Sequence, residues 1–325
     1  MNEGDAITFR RAEDSDRHAI LEMLRVSLGR EFDDRYSELF AWKHAENVFG
    51  PSPAWVACDG EHLAGFRTFM RWEFLDGDRV LRAVRAVDTA THPDYQGRGI
   101  FTRLTLHALE ELAVAGVDFV FNTPNDQSRP GYLKMGWQVV GKLPTAIRPT
   151  SLMRLPKIAK ARVPAERWSM SSSAGVAARE LLGDQDGLNT LLESQDSVGM
   201  RTRLSPEFFR WRFGTPLLEY RAITAPGGVA HGVIVFRIRR RGSAREAAVV
   251  ALLTRPGDRC TAAGLVREVA RLADADYLLA LGGSRVWPGG MLRVPRLGPV
   301  LTVRQLGTSK PPDNWDMSLG DIELF

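Results

Sequence analysis

Apolar and polar residues alternate over residues 7–11, with Ile7 and Phe9 on one side, and predict a short opening strand. Ile20, Leu21, Leu24 and Leu28 then recur at helical spacing, and Asp14 or Ser15 stands where such a helix is capped. Residues 55–58 read as a strand, Asp59-Gly60 as a turn and residues 63–72 as the returning strand. A second turn at Asp76-Gly77-Asp78 leads into a long strand over residues 80–91. After a loop at residues 93–99, Leu104, Ala108, Leu112 and Ala115 define a helix that Gly116 ends. A buried strand at 117–121, a short helix over 127–135 and a strand at 137–140 complete a mixed α/β unit ending near residue 150.

Residues 151–175 hold prolines, basic residues and the run Ser171-Ser172-Ser173, and read as a linker. The second half of the chain repeats the order of the first. Phe40-Ala41-Trp42-Lys43 has a counterpart in Phe209-Arg210-Trp211-Arg212, and the turn Asp59-Gly60 has one in Gly227-Gly228. Residues 247–253 match the long strand, 266–272 the helix and 277–281 the strand after it. The expectation is two mixed α/β domains in tandem, over 1–150 and 176–325, each a mostly antiparallel sheet flanked by helices.

Composition narrows the chemistry. The 325 residues are 44% hydrophobic and 25% charged, as in ordinary globular chains. No apolar run approaches the roughly 20 residues of a membrane helix, and the first five residues are polar, so a cytoplasmic protein without a membrane partner is expected. Cys58 and Cys260 lie in different halves with no CxxC pair, and no HExxH occurs, so neither disulfide nor metal site is expected. The net charge of +4 suits an anionic ligand. The basic run at residues 237–241 has few aromatic neighbours and reads as a solvated strand end, so no nucleic-acid partner is expected. A homo-oligomer remains open.

The informative stretch is residues 87–137. VDTATHPDYQGRGIF leads from a strand through Gln96-Gly97-Arg98-Gly99-Ile100-Phe101 into a helix. Glycines let a ligand approach the backbone, and the unpaired amides of a first helical turn bind phosphate. Arg98 adds charge and Thr102 a hydroxyl. By itself this is also what a plain tight turn looks like. No GxGxxG or GxxxxGK[ST] motif is present.

The stretch resembles the GCN5-related N-acetyltransferase family, over about residues 5–145. In that family a Q/R-x-x-G-x-G/A loop grips the pyrophosphate of acetyl-CoA, a role the resemblance gives to Gln96, Gly97, Arg98, Gly99, Ile100, Phe101 and Thr102. Thr89, Ala90 and Thr91 correspond to the strand whose backbone pairs with the pantetheine arm. Asn125 and Tyr132 match an N-x6-Y spacing, and Lys134-Met135-Gly136-Trp137 resembles the family's Y-x-K-x-G-F ending. Phe101 departs from the final small residue of the loop, so its side chain must turn away from the phosphates. Pro130-Gly131 interrupts the helix before Tyr132.

The resemblance implies transfer of an acetyl group from acetyl-CoA to the primary amine of a small molecule, such as an amino sugar or antibiotic-like amine. The rivals are a protein or peptide acetyltransferase, a CoA-binding module without turnover and a Fem-like aminoacyl transferase. Tyr132 is the candidate general acid, against a core tyrosine packed on the cofactor, and Asn125 orients backbone and pantetheine. Asp88 is the candidate base, against a salt bridge to Arg82 or Arg85. Glu73 and His92 are weaker candidates. Trp42, Trp55 and Trp72 line an acceptor pocket or belong to the core. The second half has Thr254-Arg255-Pro256-Gly257-Asp258 in place of the loop, and no Asn-to-Tyr spacing, which makes it a degenerate repeat. Enhanced-intracellular-survival acetyltransferases end in a phenylalanine whose carboxylate faces the active site, and this sequence also ends in Phe325. Alternation over residues 320–325 predicts a terminal strand.

Overall fold

The computed structural model describes residues 7–27, 33–181, 183–195, 199–282, 288–294, 297–308 and 314–323. The first half runs β1 (Thr8–Arg11), α1 (Arg17–Ser27), α2 (Arg35–His44), β2 (Ala54–Asp59), β3 (His62–Asp76), β4 (Arg79–Thr91), α3 (Ile100–Val114), β5 (Phe119–Asn122), α4 (Arg129–Lys134), β6 (Gln138–Lys142) and β7 (Thr145–Pro149). After α5 (Leu155–Lys160) come β8 (Val176–Ala177), α6 (Ala178–Leu181), α7 (Gln185–Glu193), β9 (Met200–Thr202), α8 (Pro206–Gly214), β10 (Arg221–Ala225), β11 (Gly228–Arg241) and β12 (Ala244–Thr254). The chain closes with α9 (Arg259–Leu272), β13 (Tyr277–Leu281), β14 (Leu292–Arg293), β15 (Val300–Gln305), β16 (Trp315–Asp316) and α10 (Leu319–Ile322).

The strands form two mixed, mostly antiparallel sheets. One is ordered β1-β2-β3-β4-β5-β15-β6, with β9 added to the end of β3, and the other β14-β7-β13-β12-β11-β10-β8. The orders correspond, and each sheet borrows a strand. β15 pairs antiparallel with β5 and β6 of the first half, while β7 pairs with β13 and β14 of the second. The chain therefore crosses from the first sheet to the second between β6 and β7, and back between β14 and β15, while residues 151–175 begin and end on the second sheet. That segment is more than a tether, because Trp168 packs against Tyr36 of α2 with ring centroids 5.5 Å apart.

Apolar packing holds the sheets. Leu104, Ala108 and Leu112 of α3 cover one face of the first sheet against Trp55, Val84 and Val120. Leu265, Val266 and Val269 of α9 do the same on the second, against Ile234, Val249 and Leu278. Between the sheets lies one continuous core in which Trp42, Trp72 and Phe121 meet Phe208, Trp211 and Met317. Burial of large aromatics on this scale is what joins the two halves.

The end of the chain differs from the expected strand. Ser318 and Asp321 form a reciprocal capping box, each side chain bonded to the other's backbone, and wind Leu319–Ile322 into a helical turn. Local capping outweighs the alternation of apolar residues. Phe325 lies outside the described residues.

Candidate active site

β4 and β5 run parallel, pairing Ala83, Val84 and Arg85 with Phe119, Val120 and Phe121. That pairing stops at Arg85, while β4 continues to Thr91. The strands splay and leave a strand edge facing a groove, the geometry that accepts an extended amide-bearing ligand. A bulge falls at the splay, where the register shifts between Phe66 and Thr68 on β3. On β4 the bulge holds Asp88 at φ +37°, an uncommon conformation for a non-glycine residue. Thr89 is fixed by its hydroxyl, which donates to the Phe66 carbonyl at 3.1 Å. Ala90 is buried and Thr91 is half-buried.

At the far end of β4, Gln96, Gly97, Arg98 and Gly99 are exposed in front of α3. Gly97 and Gly99 have φ +77° and +71°, and a Cβ on either meets nothing within 4 Å. Gly99 is the N-cap of α3 and supplies no side-chain cap. The first amides of α3 thus face open space with the positive end of the helix dipole behind them. Ile100 sits directly on Gly65, where a Cβ would lie 2.7 Å from its methyl group. Phe101 turns inward, edge-on to Tyr132 at 5.6 Å between ring centroids, and so clears the loop as its position required. Arg98 folds over the Tyr95 ring at 4.8 Å, and Thr102 is exposed. At the corresponding helix entrance of the second repeat a cavity of about 460 Å3 is lined by residues 254–259, but the helix is already capped. Asp258 caps α9 with its own carboxylate, which accepts from the Thr261 amide at 2.9 Å, and so puts a negative charge where an anion would bind.

Tyr132 is buried, 4% exposed, on α4. Pro130 is tolerated because it lies in the first turn of that short helix. Asn125 pins the turn: its Oδ1 accepts from the Ser128 amide at 2.8 Å and hydroxyl at 2.9 Å. The Tyr132 hydroxyl accepts a hydrogen bond from Arg67 Nη1 at 2.9 Å. A guanidinium only donates, so the hydroxyl proton of Tyr132 points elsewhere. Arg67 is 1% exposed, and its Nε and Nη2 have no hydrogen-bond partner among the described residues.

The Asp88 side chain is 9% exposed and forms an ion pair with Lys43. Its Oδ2 also meets His44 Nε2 at 3.0 Å, and His44 Nδ1 meets Ser52 Oγ at 3.0 Å. Burial works to raise the Asp88 carboxyl, but Lys43 and His44 outweigh it and hold it well below the usual carboxylate range. Burial pushes His44 down despite Asp88, so the imidazole is neutral. Of the alternatives Arg82 and Arg85, the Arg85 side chain donates to the Asp321 carbonyl and the Thr123 hydroxyl, both at 2.9 Å, and the Arg82 backbone amide donates to Asp118.

Of the weaker candidates, Glu73 pairs with Arg203, and His92 accepts from the Asp94 amide as a turn residue. Trp42, Trp55 and Trp72 are core residues, each 3% exposed or less. Sequence reading missed Arg67, Lys43 and His44. It also misread residues 237–241, where β-strand alternation buries Arg237 and Arg239 (0% and 9% exposed) while Arg240 stays exposed. Among the described residues no cluster of His, Cys, Asp and Glu is arranged to hold a metal, and no helix is long and apolar enough to cross a membrane.

Two cavities meet at Asp88. One, of about 510 Å3, lies along the β4–β5 splay and is lined by Asp88, Thr89, Asn125 and Tyr132, with Arg237 and Arg239 from the second half. The other, of about 290 Å3, lies between α1 and α2 and reaches Lys43 and Asp88.

Residues 8–140 match the family described as acetyltransferase (GNAT) domain. Comparison with curated protein sequences finds no match. Solved structures of similar fold include a probable N-acyltransferase from Enterococcus faecalis, at TM-score 0.68 and 11% identity, covering 93% of this chain and 73% of that one. A GCN5-related N-acetyltransferase from Kribbella flavida gives TM-score 0.63 at 15% identity, covering 93% and 71%. Eis1 from Mycobacterium abscessus gives 0.56 at 14%, covering 93% and 74%. Residues 8–140 thus match the acetyltransferase (GNAT) domain, and the rest of the chain builds a second sheet of corresponding strand order.

Proposed function

We propose that the protein transfers an acetyl group from acetyl-CoA to the primary amine of a small molecule. The observation that carries this reading is the contrast between the helix entrances of the two repeats, uncapped at Gly99 and capped by a carboxylate at Asp258. Only the first is shaped for a pyrophosphate, so one acyl-CoA per chain is bound, by the 96–102 loop and the free edge of β4.

Acetyl-CoA, when bound, supplies the acetyl group as a thioester. The chain's own residues then have three tasks. Gln96 to Thr102 hold the diphosphate through amides and dipole. Tyr132, its hydroxyl oxygen engaged by Arg67, directs its proton into the groove and gives it to the departing thiolate as the amine bonds to the carbonyl carbon. Arg67 stabilises the phenolate that this leaves, and the phenolate takes back the proton that the nitrogen sheds as the amide forms. To Asp88 we assign orientation of the amine rather than proton removal, because a carboxylate so strongly paired is a weak base. The acceptor loses its proton to solvent before it attacks.

A small acceptor is favoured over a protein because the second half walls the cavity at Tyr132 with Arg237 and Arg239. Release of free thiol from acetyl-CoA by a panel of small amines and amine-bearing peptides tests the reading. Amine-dependent release with small amines supports it. Release with peptides alone moves the acceptor to protein, and tight CoA binding with no release makes the protein a CoA-binding module.

A further inference from the structure

The wall that the second half contributes is cationic. Arg237 and Arg239 are alternate residues of β11, both buried, and both line the cavity that holds Tyr132. Glu323 pairs with both of them, and Glu246 pairs with Arg239 and Arg241. Among the described residues, three guanidiniums thus share two carboxylates. Arg237 Nη2 and Arg239 Nε are buried donors without a partner there, and Glu323 Oε2 is a buried acceptor without one. Turning Glu323 onto either donor still leaves the other unmet. Arg85 enters the same cavity from β4 and donates to the carbonyls of Asp321 and Ile322 and the hydroxyl of Thr123. Burial pushes its guanidinium down to about 9.

Buried guanidiniums are costly unless anions complete their hydrogen bonding. We infer that one of the two reactants carries a carboxylate, held by Arg237 and Arg239 while its reacting end faces Tyr132. The inference rests on the acyl-transfer reading above. The carboxylate comes either from the acceptor, as in an amino acid, or from the far end of the acyl group, as in a dicarboxylic acyl-CoA.

The test uses the whole chain and two arms. In one, acetyl-CoA is offered with phenylalanine or phenylethylamine, and with lysine or cadaverine. In the other, phenylethylamine is offered with succinyl-CoA or butyryl-CoA. Arg239→Gln is the variant of choice, because Glu246 keeps Arg241 and Tyr277 and Glu323 keeps Arg237. The wild type prefers the carboxylate-bearing member in one arm. Arg239→Gln lowers kcat/KM for that member by roughly 10- to 100-fold and moves its neutral counterpart less than about threefold. Arg239→Lys, which keeps the charge, recovers part of the loss.

Binding gives a readout independent of turnover. Calorimetric titration with N-acetylphenylalanine, N-succinylphenylethylamine and N-acetylphenylethylamine detects one of the two carboxylates and not the neutral amide, and Arg239→Gln loses that binding. No carboxylate preference in either arm, or an equal loss for both members of every pair, overturns the inference and leaves the arginines as a clasp between the halves. No thiol release with any donor and amine counts against acyl transfer instead, and the titrations still decide the anion site.

Discussion

Trp42 and Trp211 hydrogen-bond to each other's backbone: Trp42 Nε1 donates to the Trp211 carbonyl at 2.7 Å, and Trp211 Nε1 to the Trp42 carbonyl at 2.9 Å. Their rings stack with centroids 5.4 Å apart. They occupy the same position in the two repeated blocks of sequence, and a contact in which each residue does to its partner what the partner does to it marks a local two-fold relation. The exchanged strands β7 and β15 obey the same relation. The two halves are therefore joined as a pair, with the core between their sheets shared.

Removing either indole N–H strands a buried carbonyl. Trp42→Phe and Trp211→Phe should each cost about 1–3 kcal/mol in denaturant unfolding. Because the rings touch, the double variant should depart from additivity by about 0.5–1.5 kcal/mol. Strict additivity would show that the two indoles act independently.

The role given to Tyr132 predicts a kinetic signature. Tyr132→Phe should lower kcat by ~100-fold with little change in KM for acetyl-CoA. Arg67→Gln should lower kcat in the same sense by ~10-fold, since it acts through the Tyr132 hydroxyl. Near-normal turnover of Tyr132→Phe leaves the tyrosine as a packing residue between Phe101 and Trp137.

Asp88 makes a prediction about stability and another about rate. Its carboxyl is depressed in the folded state, so its contribution is fully present above the unfolded value of about 3.9 and is lost as pH falls through the lower folded value. Asp88→Asn leaves Lys43 buried without that counter-charge, and should cost about 3–5 kcal/mol at neutral pH while flattening the acid limb of the stability profile. In the rate, kcat/KM should rise with pH as the amine deprotonates, in the variant as in the wild type. Loss of that rise in Asp88→Asn would restore Asp88 as the base.

The parts of the site legible in the sequence are those written in contiguous residues. Gly97 and Gly99 precede an apolar helical pattern, Asn125 and Tyr132 have a fixed spacing within one short turn, and the Phe-Ala-Trp-Lys block repeats. What escaped depends on distant partners. Lys43 meets Asp88 across 45 positions, and Arg67 meets Tyr132 across 65. Arg237 looked solvated because its buried carboxylate, Glu323, lies 86 positions away. The exchange of β7 and β15 leaves the local patterns unchanged, since a strand alternates in the same way in either sheet.

Calorimetric titration with CoA tests the central claim, that the open entrance of α3 in the first repeat is the only acyl-CoA site. Gly99→Asp copies the cap that Asp258 provides in the second repeat, and aspartate tolerates the positive φ better than a branched residue. The wild type should bind one CoA per chain, and Gly99→Asp should bind none while unfolding at nearly the same temperature. Two sites per chain, or undiminished binding by Gly99→Asp, would contradict it.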